Sequence, residues 1–356
     1  MKWNDLYIAG TGACLPGVTT VREALESGAY DERSARISGH LSVTVAGAGD
    51  TAPGMAVKAG NQALQRSGYR RTEVGAVLHS VLFHNGIDVW NSGSYIQNGI
   101  AAPGCFSAEV RSGSNGGLVA VELAAAYLAA HPEAAVAVCT AGDVWADPSF
   151  DRWRSDRVLF GDGAAAMALS RQGGFARIIS MATYSEPGLE AIHRGDEPFG
   201  PYRFTADHRI DLNRRRQEFM GKADKDDVWK LLEQGLQKSA RQALGEADAT
   251  IRDMDILVTP HLGEEMTIRQ CLQPLGEEDL GRTAWEFSRR TGHLGPADQL
   301  AGFNYLAEKG VLAPGTRVLL VGIGGGFTWT CAVVEVMVNP LGATSWHDPR
   351  AKIRFP

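Results

Sequence analysis

The chain has 356 residues, 44% hydrophobic and 21% charged, the balance of a soluble globular protein long enough for two domain-sized halves or one large core. A formal net charge of −6 speaks against nucleic acid as a partner, and five scattered cysteines without metal-ligand spacing suit reduced thiols in a cytoplasm. The longest apolar run, Leu118 to Ala130, is broken by Glu122 and is shorter than a membrane span of about 20 residues, and Met1-Lys2-Trp3-Asn4-Asp5 lacks the basic start and apolar centre of a signal peptide.

Mostly continuous apolar runs predict strands at residues 6–10, 76–83, 106–110, 134–140 and 164–170, and again at 256–259, 317–321 and 330–336. Between them fall helical patterns. Residues 118–130 are apolar on nearly all sides, which marks a helix buried between layers. In 228–244 the residues Val228, Leu231, Leu232, Gly235, Leu236, Ala243 and Leu244 form one stripe. The alternation predicts an α/β architecture. A faint repeat runs through it. Ser114 is followed by a helix, a strand, the turn Gly161-Asp162-Gly163 and another strand. His293 is followed by a helical stretch at 297–309, a strand, the turn Gly324-Gly325-Gly326 and another strand. The same order twice suggests two related halves, 1–174 and 175–356, meeting near Gly173-Gly174. Residues 186–225 fit no clean period and hold Pro187, Gly188, Pro198, Gly200 and Pro201; so long an excursion is often functional.

Four features carry candidate chemistry. Ser114, in Glu109-Val110-Arg111-Ser112-Gly113-Ser114-Asn115-Gly116-Gly117, puts a hydroxyl at a helix start, where backbone N–H groups favour negative charge. Locally, Ser and Asn before a helix are also plain caps. His261 ends an apolar strand in Thr259-Pro260-His261, a common place for sites in α/β proteins. His293 lies in Gly292-His293-Leu294-Gly295, where glycines permit close backbone approach. Gly324-Gly325-Gly326-Phe327 follows a buried strand, where such a turn either aims an N–H at an oxyanion or simply turns with positive φ. Gly322-Ile323-Gly324-Gly325-Gly326 is no dinucleotide fingerprint, because a strand rather than a helix follows it.

The sequence resembles the β-ketoacyl-ACP synthase III branch of the thiolase-like enzymes over essentially its whole length. Ile8-Ala9-Gly10-Thr11-Gly12-Ala13-Cys14-Leu15-Pro16, Phe160-Gly161-Asp162-Gly163-Ala164 and Gly324-Gly325-Gly326-Phe327-Thr328-Trp329 carry the resemblance, with Pro260-His261 and Gly292-His293 in matching order. It implies a five-layered α-β-α-β-α sandwich of two pseudo-symmetric halves, usually a homodimer. Carried over by position, Ser114 matches the family's nucleophilic cysteine, His261 its catalytic histidine and His293 its catalytic asparagine. The backbone N–H groups of Ser114 and Gly326 match the oxyanion hole. The histidine's usual Gln-Ala-Asn sequel is replaced by Leu262-Gly263-Glu264.

These departures have chemical meaning. A thiol ionises partly near neutrality, whereas a hydroxyl needs a general base as it attacks. His293 supplies a second imidazole, so Ser114, His261 and His293 would form a hydrolase-like set within a synthase fold. Losing the asparagine removes a donor that holds the malonyl thioester carbonyl during decarboxylation. The Ser-His-His pattern is similar to starter-unit proteins of anthracycline polyketide pathways and to acyltransferases of antibiotic biosynthesis. The resemblance therefore implies an acyltransferase: Ser114 takes an acyl group from acyl-CoA or acyl-ACP and passes it on, with no tightly bound cofactor and no metal. The alternative is a decarboxylative condensing enzyme that joins a starter such as propionyl to malonyl-ACP. An α/β-hydrolase is disfavoured because Ser112 stands where the first glycine of a Gly-x-Ser-x-Gly elbow belongs. A non-catalytic partner of an active synthase is disfavoured because both histidines are kept.

The resemblance also places the entrance. Arg152, Arg154 and Arg157 precede the Phe160–Ala164 turn, where relatives contact the CoA nucleotide. Arg214-Arg215-Arg216 would meet an acidic carrier protein unless it is only a solvated face. Met266 stands where relatives carry a docking arginine, with Arg269 nearest to it. Trp90 would close the partner's acyl pocket across a dimer, and His193 would line the same pocket.

Overall fold

The computed structural model describes residues 1–340 apart from 84, 86, 88, 147, 148 and 201–208. Eleven strands are present among them: β1 (Tyr7–Cys14), β2 (Gly17–Thr20), β3 (Ser42–Val45), β4 (Val74–Ser80), β5 (Phe106–Val110), β6 (Val136–Asp143), β7 (Gly163–Ser170), β8 (Ala176–Ser185), β9 (Ile256–Val258), β10 (Arg317–Gly324) and β11 (Thr328–Val336). Nine form one sheet in the order β5-β4-β6-β7-β1-β8-β11-β10-β9, and β2 pairs with β3 apart from it.

The sheet is the same motif written twice. In β4-β6-β7-β1 the first pair is parallel and the next two antiparallel, and β9-β10-β11-β8 repeats that pattern. The two motifs join where β1 and β8 pair at Tyr7–Arg177 and Ile8–Ala176. Four helices complete the layers: α1 (Ala52–Ser67), α2 (Gly116–Ala130), α3 (Lys225–Glu246) and α4 (Asp298–Glu308). Three buried clusters show how they stack. Met55, Ala59 and Ala63 of α1 pack on Val77, Val138 and Ala166 of the first motif. Leu118 and Val121 of α2, with Leu300 and Phe303 of α4, fill the space between Leu78 and Met167 on one side and Val258 and Leu320 on the other. Leu236 and Ala243 of α3 cover Leu319 and Val333 on the far face. The molecule is thus an α-β-α-β-α sandwich, with α2 and α4 packed between the two motifs; α2, apolar on nearly all sides, still leaves Leu123 48% exposed. Among the described residues no helix is long and apolar enough to cross a membrane, and no cluster of three or more His, Cys, Asp or Glu could hold a metal ion.

Three elements depart from the sequence expectation. Strand β8 lies mid-sheet, but Arg177, Ser180 and Thr183 interrupt its apolar run. The hydroxyls are satisfied internally: Ser180 donates to the Ala243 carbonyl at 2.6 Å and Thr183 to Glu122 at 2.5 Å. Helix α1 is disguised by Pro53, Gly54 and Gly60. It is nonetheless bounded in the ordinary way, by Thr51 accepting from Gly54 N–H and by Gly68 at φ +76°. Strand β4 ends at Ser80 rather than 83, because the N–H groups of Leu82 and Phe83 turn to the buried Asp143 carboxylate, at 3.0 and 2.8 Å.

Candidate active site

The repeat brings two equivalent places together at the centre of the sandwich: the start of α2 and the start of α4. Ser114 sits one residue before Asn115, which caps α2. The turn that presents it needs Gly113, which has φ +54° and no room for a side chain: a Cβ would stand 2.6 Å from Gly325 N. Behind it, Gly117 lets α2 close on the other motif, since a Cβ there would lie 2.2 Å from the Pro296 carbonyl oxygen. Asn115 is fully buried and ties the turn to β11, donating to Thr330 Oγ1 at 2.8 Å and Thr328 Oγ1 at 3.2 Å.

His293 is held by its backbone. Its N–H donates to Leu159 C=O at 2.8 Å, and its C=O accepts from Gly161 N–H at 3.0 Å. The Phe160–Ala164 motif is thus the seat of His293, and Asp162 anchors it through Ala46 N–H, Trp145 N–H and the Arg152 guanidinium. Arg152 is engaged there, at 2.9 Å, and does not reach the entrance.

So seated, His293 Nε2 lies 2.7 Å from Ser114 Oγ. Its Nδ1 lies 2.5 Å from Oδ2 of Asp298, the first residue of α4. Asp298 is wholly buried and also accepts from the N–H groups of Leu294 and His261, both at 2.7 Å. Hydroxyl, imidazole and carboxylate therefore stand in line. Burial opposes charge on His293, but the adjacent Asp298 carboxylate outweighs it and raises the imidazole's pKa above the ordinary value. Burial likewise opposes charge on Asp298, and His261 and His293 overcome it, holding the carboxyl below its usual range.

Asp298 was not among the residues singled out from the sequence. Its signal was local: an acidic residue at the head of a helix, five positions after a glycine-flanked histidine. His261 corrects the expectation in the other direction. Its ring is fully buried behind Asp298 and outside the cavity wall, so only one of the two histidines reaches Ser114.

Ser114, His293 and Gly324-Gly325-Gly326 line a cavity of about 1040 Å³. One wall is apolar, built from Phe83, Trp145, Phe150 and Phe160, with ring centroids 4.5–5.6 Å apart. His193 lines it too, with its ring 5.3 Å from that of Phe327 and Nδ1 only 2.2 Å from where a Cβ of Gly325 would stand. Burial lowers the pKa of His193. The excursion at 186–225 accordingly contributes to the cavity, through the helices Ala191–Arg194 and Leu212–Met220. Arg157, Trp229 and Met266 are shared with an adjoining cavity of about 380 Å³ that also holds Arg154 and Arg269. Arg154 donates to the Gly28 carbonyl.

Two further expectations concern Trp90 and the arginines at 214–216. Trp90 is 37% exposed beside Tyr95 and lies outside this chain's own cavity. The arginines at 214–216 are not a free basic face, because Arg214 pairs with Glu197 and Glu218, Arg215 with Glu197 and Arg216 with Asp156.

Residues 108–187 match the model of 3-oxoacyl-[acyl-carrier-protein (ACP)] synthase III, and residues 244–336 that of its C-terminal part. A solved structure described as ChlB3, an acyltransferase, is 32% identical, with a TM-score of 0.90 over 95% of this chain and 99% of that one. The chain belongs to the 3-oxoacyl-ACP synthase III-like family of the thiolase superfamily. Family membership makes it an acyl-transferring or condensing enzyme of the transferase class. Synthase III proteins of Desulfotalea psychrophila and Nitratidesulfovibrio vulgaris are 22% and 27% identical, over 93% and 81% of this chain and 99% and 84% of theirs. The synthase III structure from Aquifex aeolicus shares the fold, with a TM-score of 0.75 at 18% identity over 93% of this chain and 99% of that one.

Proposed function

We propose that the protein is an acyltransferase that loads an acyl group from acyl-CoA or acyl-ACP onto Ser114 as an oxyester and passes it to an acceptor. The pathway we propose is polyketide or related secondary-metabolite biosynthesis, as starter-unit selection or tailoring. The observation that carries the reading is the 2.7 Å contact between Ser114 Oγ and His293 Nε2, with Asp298 2.5 Å behind the ring. Ser114 Oγ attacks the thioester carbonyl and its proton passes to His293 Nε2. The backbone N–H groups of Ser114 and Gly326 receive the oxyanion. The C–S bond then breaks, and the thiol departs with the proton from His293. In the second half, the acceptor gives its proton to His293 and attacks the oxyester carbonyl; the C–O bond to Ser114 breaks, and Ser114 regains its proton. The adjoining cavity with Arg154 and Arg157 suits the anionic end of a CoA or phosphopantetheine thioester.

Condensation is the weaker reading, because His261 lies outside the cavity and the family's asparagine is absent. The test is intact-protein mass spectrometry after incubation with a panel of acyl thioesters. A mass increment of one acyl group, lost in Ser114→Ala, is expected. An unchanged adduct in Ser114→Ala would refute the nucleophile. Efficient β-ketoacyl product and CO₂ from malonyl-ACP would refute transfer as the principal reaction.

A further inference from the structure

The ring of His261 is fully buried and turned inward. Nδ1 lies 3.1 Å from the Gly292 carbonyl oxygen, 3.1 Å from the Thr291 hydroxyl and 3.3 Å from Asp298 Oδ1. Carbonyl and carboxylate oxygens only accept, so Nδ1 carries the proton of the neutral ring. The Thr291 hydroxyl has carbonyl acceptors of its own, at Ser288 and Gly292, and keeps a lone pair for Nδ1–H. Nε2 is then a bare lone pair. It is buried with no hydrogen-bond partner among the described residues, and it lies 3.6 Å from where a Cβ of Gly302 in α4 would stand. A charged ring would bury an unpaired N–H there, which is costly.

We propose that His261 is a positioning residue that acts through Nδ1–H, not through Nε2 on substrate. It pins the Gly292 carbonyl just ahead of His293 and the Oδ1 side of Asp298 behind it, so that His293 stays aimed at Ser114. The inference rests on the Ser114–His293 reading. It adds a consequence: an Nε2 turned away from the cavity cannot donate to a malonyl thioester, so the site transfers without decarboxylating. The ionisable groups around the pair are Asp298, Asp143 and Asp156 near His293, and His40 and Asp298 near His261.

Two isosteres separate the roles. An Asn amide nitrogen falls near the place of Nδ1, and a Gln amide nitrogen near that of Nε2. Ser114 acylation rates of H261A, H261N and H261Q would be measured between pH 5 and 9. We expect H261A to lose about tenfold or more, as misaimed catalytic groups do, with H261N recovering most of that loss and H261Q none. In H261A and H261Q the acid limb should move to higher pH, because Asp298, relieved of one donor, draws the proton onto His293 more strongly. The reverse ranking, with H261Q active and folded H261N inactive, would overturn the proposal. Folded H261N and H261Q chains equally impaired would overturn it too. Should the variants not fold, CO₂ release from malonyl-CoA by the wild-type protein decides: none supports the proposal, and a rate comparable with transfer overturns it. Acylation that persists in Ser114→Ala would sink the broader function instead.

Discussion

At the residue scale the site turns on which groups carry protons. His293 must be neutral to take the proton of Ser114, and Asp298 raises its pKa. The acylation rate should therefore rise with pH through that raised value and level off above it, the acid limb lying higher than for an unperturbed imidazole. Asp298→Asn removes the charge that raises it, so the limb should move down while the plateau falls by about 10³-fold or more, as when an orienting carboxylate is neutralised in a serine hydrolase. A pH–rate profile of both proteins checks this; an unmoved limb would contradict the line of three. Asp143 offers a second titration. Burial raises its carboxyl to about 7, against two backbone N–H groups that lower it. Its folded pKa lies above the unfolded one, so it favours the folded state most at low pH, and that contribution fades as pH rises towards 7. Thermal melts of wild type and Asp143→Asn should therefore differ in slope between pH 4 and 7, the variant losing this part of the pH dependence.

At the element scale the site exists because two helix starts are pressed together. Gly117→Ala would put a methyl group 2.2 Å from the Pro296 carbonyl oxygen and force α2 off the turn that holds His293. We expect a loss of about 1–3 kcal/mol of stability and a fall in acylation rate greater than the stability loss explains. Leu123→Ala, on the exposed side of the same helix, should change neither. Melting temperature and adduct formation read both variants. The elements also explain what was legible in the sequence. Strands β7, β10 and β11 announced themselves as apolar runs, because strands covered on both faces contain little else. Strand β8 and helix α1 did not. Their polar and small residues are answered by neighbours distant in the chain, such as Ala243 for Ser180 and Glu122 for Thr183.

At the scale of the whole molecule the repeat governs everything. We propose that the chain divides as 1–174 and 175–356, with each half contributing one side of the site: Ser114 from the first, His293 and Asp298 from the second. We further propose a homodimer. Strand β5 ends the sheet, pairing with β4 alone among the described strands, and Phe106 on it is 49% exposed. An apolar open edge of this kind is normally covered. Sedimentation should give twice the chain mass of 38.2 kDa, and Phe106→Lys should shift it towards the single chain. A monomeric wild type would remove the proposal.

By itself the sequence determined the α/β class, the repeat, and Ser114 and His293 as candidates, because apolar periodicity and glycine-flanked turns are local properties of the chain. Only the tertiary structure decided which groups meet. It chose His293 over His261 as the neighbour of Ser114, brought in Asp298, and set the Phe160–Ala164 motif as the seat of the imidazole. Those choices depend on where a side chain points once two helix starts, nearly 180 residues apart, are packed within hydrogen-bonding distance. Direction across such a gap is a product of packing and is not written in the spacing of residues along the chain.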